Sequence, residues 1–220
     1  NGPNLWDDIW IAAAIGIRLP INDPVGNMII DIGGGTTDIA VISLGGIVRS
    51  KTLKVAGDRL NSDIVSYVRN EFKILIGEKT AENVKIAIGS ITDEKMPLEA
   101  SIRGRDLITG LPREVVLTDG DIREAIAQSV NIIIESATEV IETTPPEIVS
   151  DIMHRGIYLT GGGALIKGLS TVLSDQLKAP VYVAEDPLTA VARGTGIILE
   201  DLVKYESILI ENENALPPSN

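Results

Sequence analysis

Residues 31 to 38 read DIGGGTTD: an acid, three consecutive glycines, two threonines and a second acid, with an apolar run on either side. Glycine loses more backbone freedom on folding than any other residue and brings no side chain to a core. Three in a row therefore call for a reason. The flanking runs MIIDI and DIAVISL are short and β-branched, which predicts two strands with the glycines at a hairpin tip. Such a tip offers several N–H groups with no Cβ in the way, a concavity suited to phosphate oxygens. Gly33, Gly34, Gly35 and Thr36 would line it, with the hydroxyls of Thr36 and Thr37 as further donors. Asp31, closing its strand, would place a carboxylate beside a hydrated Mg²⁺, an ion that keeps several waters and takes one or two carboxylates. The same residues also suit a tight hairpin that merely needs φ > 0, and the residues alone leave both readings open. A strand-to-strand setting excludes the Walker loop and the dinucleotide fingerprint, which run from strand to helix.

A second triglycine lies in YLTGGGALIKGL, residues 158 to 169. Here the pattern predicts strand, bend and helix. Gly161 and Gly163 fit the first two positions of the dinucleotide fingerprint, but Ile166 occupies the third, so that fingerprint fails. A helix start bared by glycines suits a base, a ribose or an anion. A close strand-to-helix packing turn would look the same. Other candidates are weaker. Glu82 and Lys85 in TAENVK form an i, i+3 pair on a helix, ordinarily a solvated ion pair worth a few tenths of a kcal/mol. His154, the one histidine, falls near a helix end in DIMHRG with no second His and no Cys to make a metal site, so a capping or solvated role is expected. Asp38 is expected to brace the hairpin rather than hold metal.

The elements that position these residues follow from periodicity. IAAAIGIRLP ends a helix, and MIIDI, DIAVISL and IVRSKTLKVAG form an antiparallel meander. Asp58 is expected to cap a helix whose apolar face is Leu60, Ile64, Val68 and Phe72. TAENVKIAIG is a shorter helix. LEASIRGRD and REVVL are two strands joined by LITGLP. A long helix opens near Asp121, with Asp121 and Glu124 resembling a capping box. Its buried face runs Ile122, Ala125, Ile126, Val130, Ile133, Ala137, Val140 and Ile141, and Pro145 and Pro146 end it. The last third alternates: helix PEIVSDIMH, strand GIYLT, helix ALIKGLSTVLSDQL, strand PVYVA, helix LTAVARGTGIILEDLV. EDP (residues 185 to 187) is an entry turn to that last helix. This is α/β order with a parallel element. The tail ENENALPPSN reads as disordered.

Composition limits the function. The 31 acidic against 19 basic side chains give a net charge of −12, which argues against a nucleic-acid surface. No run approaches the apolar length of a membrane span, and the acidic start NGPNLWDDIW has no signal-peptide features. There are no cysteines, so thiolate and disulfide chemistry is excluded, in keeping with a cytoplasmic setting. Residue 1 is not Met.

The two triglycine stretches and their spacing resemble the actin-fold ATPases, and more narrowly the MreB family of bacterial actins. GNMIIDIGGGTTDIAVISLGGIV, VAGDRLNSDIVSYVR, IGEKTAENVKIAIG, IRGRDLITGLPREVVLT, TPPEIVSDIMHRGIYLTGGGALIKGL and AEDPLTAVARGTG carry the likeness, from about Ala12 to Leu202. It implies an α/β chain: an actin-like, ribonuclease H-like lobe with a mixed sheet flanked by helices and an inserted small α+β subdomain. Residues 26–75 and 145–205 would form the large subdomain and 76–144 the insert. Residues 1–25 would be an unmatched leader and the end of a first lobe, and 206–220 a tail.

The resemblance also implies ATP and Mg²⁺ between two lobes. Asp31 would be the metal-side acid. Gly33, Gly34, Gly35 and Thr36 would hold phosphate, and Gly161, Gly162, Gly163, Ala164 and Leu165 adenosine. Ala81, Glu82, Asn83, Val84 and Lys85 would serve ribose and adenine. Self-association into filaments at the inner face of the membrane, with cell-wall synthesis membrane proteins as partners, is implied likewise. Two departures stand out. The family's first lobe and its phosphate hairpin are missing upstream. The acid-Pro pair that positions the attacking water is replaced by Ile9 and Trp10, preceded by Asp7 and Asp8, and isoleucine cannot orient or deprotonate water. NGPNLWDDIW is therefore read as foreign to the family, and weak ATP binding with negligible hydrolysis is expected. A small-molecule kinase of the same superfamily and a non-catalytic half-length binding module are the rival functions.

Overall fold

The computed structural model describes residues 9–93 and 95–201. Asp7, Asp8 and Trp6 of the leader, and the 206–220 tail, lie outside the described residues. The described residues open with α1 (Ile9–Gly16), then the meander β1 (Asn27–Ile32), β2 (Thr37–Ser43) and β3 (Gly46–Leu53). IVRSKTLKVAG supplies one strand, β3. After α2 (Gly57–Glu71), the short β4 (Ile74–Leu75) and α3 (Glu78–Ile88) come β5 (Glu99–Asp106) and β6 (Pro112–Thr118). Next are α4 (Asp119–Glu142), α5 (Pro146–Arg155) and β7 (Ile157–Thr160), then one 3₁₀ turn (Gly162–Leu165). The series ends with α6 (Leu169–Leu177), β8 (Val181–Val183) and α7 (Ala190–Glu200).

One sheet has the order β3-β2-β1-β7-β8 and the other β4-β5-β6. In the first, β1 pairs antiparallel with β2 and parallel with β7, so the sheet is mixed. Every residue of β1 is buried, because helices cover both faces and no side of the strand meets water. Alternation along the strands sorts side chains between two cores. Ile29, Ala40 and Ile42 pack with α1 and α7. Met28, Ile30, Ile32, Ile39 and Val41 face the other way, into a core shared with α2, α3, α4 and the second sheet through Leu60, Ile64, Ile102, Leu117 and Ile122. Each such fully buried aliphatic side chain contributes about 1.5–3 kcal/mol.

On the first face, α1 and α7 meet backbone to backbone. A Cβ on Gly16 would fall 1.9 Å from the Ala190 carbonyl oxygen, and one on Gly194 would fall 1.7 Å from that of Ala12. Trp10 packs against this cluster. On the other face, α4 spans from β6 to β2 and β3.

The helix ends differ from expectation in three places. The α2 N-cap is Ala56, with no side-chain cap; Asp58 lies inside the first turn. The hairpin carbonyls described below satisfy that helix start instead. The α4 capping box is formed by Thr118 and Asp121, not Asp121 and Glu124, and the Glu124 carboxylate accepts from the Tyr67 hydroxyl. The helix expected from Ala164 to Leu177 is broken. Ile166 is extended and Gly168 takes φ +77°, so the triglycine opens into a single 3₁₀ turn rather than an α-helix. Two expected features are seen. The α4 helix ends at Glu142 with Pro146 starting α5, and His154 Nδ1 lies 2.8 Å from the Ser150 carbonyl, a local helix-end contact.

Candidate functional site

The β1–β2 tip is closed by the Gly33 amide, which donates to the Thr36 carbonyl at 2.9 Å. The carbonyls of Gly33 and Gly34 turn toward α2 and accept from the amides of Gly57 (3.0 Å) and Asp58 (2.8 Å). Gly34 and Gly35 are exposed, and among the described residues their amides have no hydrogen-bond partner. None of the three glycines takes a left-handed φ. A Cβ at Gly34 would meet only Asp58 Oδ1, at 3.9 Å, and one at Gly35 would meet nothing within 4 Å. Neither the turn nor the protein's own packing requires glycine there. What the missing side chains preserve is open space above a row of amides.

The second triglycine is glycine for the opposite reason. Gly161 has φ +78°, and its Cβ would lie 2.4 Å from the Ile32 carbonyl oxygen; a Cβ at Gly163 would lie 2.2 Å from Ile32 Cγ2. This bend is pressed onto the end of β1, directly beside the first tip. The ladder sets the approach: Asp31 stands opposite Thr160 across β1 and β7, and opposite Asp38 across β1 and β2.

Asp31 is buried, and its Oδ1 accepts from the Thr160 hydroxyl at 3.0 Å. Burial pushes its carboxyl above the usual carboxylate range; the Thr160 bond opposes this and the Asp38 charge adds to it. Asp38 has both oxygens engaged, by the hydroxyls of Thr36 (2.8 Å) and Thr52 (2.7 Å), so it braces the hairpin. The Thr37 hydroxyl donates to the Val55 carbonyl at 2.7 Å. The hydroxyl protons of Thr36 and Thr37 are thus already committed, contrary to the expectation that they face a ligand; the exposed tip offers backbone amides instead.

Between the two bends and helices α2 and α3 lies a cavity of about 440 Å³. Of the residues singled out from sequence, Gly33, Gly34, Glu82, Lys85, Gly162, Gly163 and Leu165 line it. Ala81 and Val84 face the core from α3. Asn83 lines a separate cleft with Thr80, Ser101, Arg103 and Glu114. Gly35, Gly161 and Ala164 adjoin lining residues along the chain, and Asp31 and Thr36 lie two residues from them.

Glu82 and Lys85 do not pair with each other. Glu82 accepts from Lys79 at 2.8 Å, and this ammonium holds its carboxyl below the usual range. Lys85 donates to the Gly57 carbonyl at 3.1 Å, and burial pushes its ammonium down while Glu82 and Asp58 oppose the shift. Gly57 thereby joins the hairpin tip to α3. Ile86, Leu165 and Leu188 are exposed apolar side chains that all border the cavity. Sequence reading missed Gly57, Asp58, Asn61, Ile86, Lys167 and Leu188 at this site. Asn61 had a signal: a polar residue beside the buried stripe of α2.

A mixed sheet that brings two glycine bends over one cleft is the architecture of the actin-like fold. Solved structures agree: MreB5 of Spiroplasma citri bound to ADP superposes with a TM-score of 0.86 at 42% identity, over 90% of this chain and 60% of that one. The MamK double helical filament, at 23% identity and TM-score 0.71 over 86% of this chain and 57% of that one, shares the fold. The chain belongs to the MreB/Mbl family, whose MreB/Mbl protein model matches residues 5–207. That match enters the segment read as foreign, taking in residues 5–10 of it. The cell shape-determining protein Mbl of Bacillus subtilis (strain 168) is 49% identical over 87% of this chain, and the cell shape-determining protein MreB of Escherichia coli (strain K12) 45% over 92%. The chain spans 58% of the length of each.

Proposed function

We propose that this chain is the nucleotide-holding part of an actin-like, ATP-dependent filament protein that serves cell shape. One observation carries the reading: two tip glycines, Gly34 and Gly35, whose absent side chains leave room that neither the turn nor the packing needs. Backbone amides in open space suit phosphate oxygens, and within the Gly33–Thr36 stretch Gly34 and Gly35 would supply them while the Gly33 amide closes the tip. The apolar rim of Ile86, Leu165 and Leu188 suits a flat base, and a volume of about 440 Å³ lies in the ordinary range for a small-ligand site. Glu82 and Lys85 would serve ribose and adenine, the Gly161–Leu165 bend would shape the adenosine wall, and Ala81, Asn83 and Val84 would seat that part of α3.

Asp31 would be the carboxylate toward Mg²⁺. Its burial next to Asp38 makes a cation welcome there, and the ion's chemistry is to neutralise phosphate charge. In this reading residues 26–75 and 145–205 form the large subdomain and 76–144 the small one. ATP binding favours head-to-tail association, a contact that does not close on itself and so yields filaments; hydrolysis weakens it. These filaments lie at the inner face of the membrane with cell-wall synthesis proteins. Among the described residues no helix is long and apolar enough to cross a membrane. The solved MreB5 structures of Spiroplasma citri carry ADP and AMPPNP, and family membership favours the cytoskeletal reading over a small-molecule kinase.

The test is a titration of ATP with Mg²⁺ to millimolar concentration, followed through backbone amide resonances. Shifts concentrated at residues 33–36, 82–86 and 161–165 support the reading. A spectrum that does not move, or moves elsewhere, refutes it.

A further inference from the structure

The structure holds an orphaned polar atom on a residue that lines the cavity. Asn61, in the second turn of α2, is only 7% exposed, and its Oδ1 is buried with no hydrogen-bond partner among the described residues. Asn61 lines the cavity. A buried amide oxygen without a donor is rare in native proteins and points to a missing ligand or water. We propose that Asn61 Oδ1 accepts a hydrogen bond from a ribose hydroxyl of the bound nucleotide, making Asn61 a residue that selects ribonucleotides over deoxyribonucleotides. This rests on the nucleotide reading above.

The chemistry narrows the partner. Ionised phosphates only accept hydrogen bonds, so an acceptor oxygen cannot serve them. The donors of a nucleotide are its ribose hydroxyls and, in adenine, the exocyclic amine. Position decides between these. Asn61 lies one helical turn, about 6 Å, beyond Gly57, whose amide and the neighbouring Asp58 amide hold the hairpin tip at the phosphate end. The apolar rim for the base is supplied from other elements, by Ile86, Leu165 and Leu188. Between phosphates and base stands the sugar.

The experiment compares binding of ATP, 2′-deoxy-ATP, 3′-deoxy-ATP and inosine triphosphate, and thermal melting without nucleotide, for the unaltered protein, Asn61→Leu and Asn61→Asp. Loss of one hydrogen bond to a buried acceptor costs about tenfold in affinity. The unaltered protein is expected to prefer ATP over one deoxy analogue by that factor. Asn61→Leu brings the ratio to about one yet melts higher, because it removes an unpaired buried polar atom. Asn61→Asp, which keeps acceptor oxygens, retains the ratio. Asn61→Leu melting lower and weakening every nucleotide alike would reduce Asn61 to packing and overturn the proposal. A changed ratio of ATP to inosine triphosphate, with the deoxy ratio unmoved, would overturn it in favour of the base amine. Failure of every nucleotide to bind would instead bring down the nucleotide reading itself.

Discussion

A Cβ added to Gly161 would lie 2.5 Å from Oδ1 of Asp31. The side chain of Asp31, the penultimate residue of β1, and the first glycine of the second bend are packed together, and Gly161 lies against the Ile32 backbone that ends the strand. Gly161 also takes φ +78°, a conformation that L side chains rarely adopt. Gly161→Ala is therefore expected to destabilise the fold by about 2–4 kcal/mol, read as a fall in the denaturant midpoint. Unchanged stability would show that the bend yields easily.

Gly34 gives the opposite result. Its Cβ would meet only Asp58 Oδ1 at 3.9 Å, so Gly34→Ala should alter stability by less than about 0.5 kcal/mol. It should nevertheless weaken ATP binding, since the new methyl group enters the cavity that the glycine lines. Paired melting and binding measurements separate the two effects. A variant that loses stability and keeps its affinity would reverse the roles given to the two triglycines.

Asp31 predicts a pH dependence. Burial raises its carboxyl above the ordinary value of 3.8 in the folded protein. Between that value and the raised one, the native state holds a proton that the unfolded chain has released. Native stability therefore falls as pH rises through that window. Asp31→Asn removes this titration: without nucleotide, it should gain stability relative to the unaltered protein as pH rises above 3.8. It should also abolish any Mg²⁺ dependence of ATP affinity. Melting curves across pH check the first half, and titrations with and without Mg²⁺ the second.

Asp38 is buried and gathers the hydroxyls of Thr36 and Thr52, tying the tip to β3. Hydrogen bonds to a charged acceptor are worth about 1.5–3 kcal/mol each and are not additive. Asp38→Ala should cost about 2–3 kcal/mol and increase amide exchange at residues 33–36 more than elsewhere. Exchange that rises evenly over the whole sheet would deny the tip this local brace.

Much of this was legible in the sequence because it rested on period and punctuation. β1, β2 and β7 read as short β-branched runs, and α4 as a 3.6-residue stripe ended by prolines. Four features were not legible, each for a physical reason. The break at Ile166 to Gly168 is fixed by the extended Ile166 backbone and the left-handed Gly168, and a Cβ there would clash with Thr92, a contact between distant segments. The start of α2 is satisfied by hairpin carbonyls rather than by Asp58, so a capping rule pointed to the wrong acceptors. Lys85 finds the Gly57 carbonyl rather than Glu82 because α3 packs on α2, which no i, i+3 rule contains. Asn61 carries its meaning only through what fails to face it.

The most direct measurement is a crystal structure of the protein with AMPPNP and Mg²⁺. The phosphates are expected against the Gly33–Thr36 tip at the free amides of Gly34 and Gly35, the metal toward Asp31, and the base between Ile86 and the Gly162–Leu165 turn. A nucleotide bound away from the β1–β2 tip, or tip amides turned to some other group with the analogue in place, would contradict the assignment of this cleft.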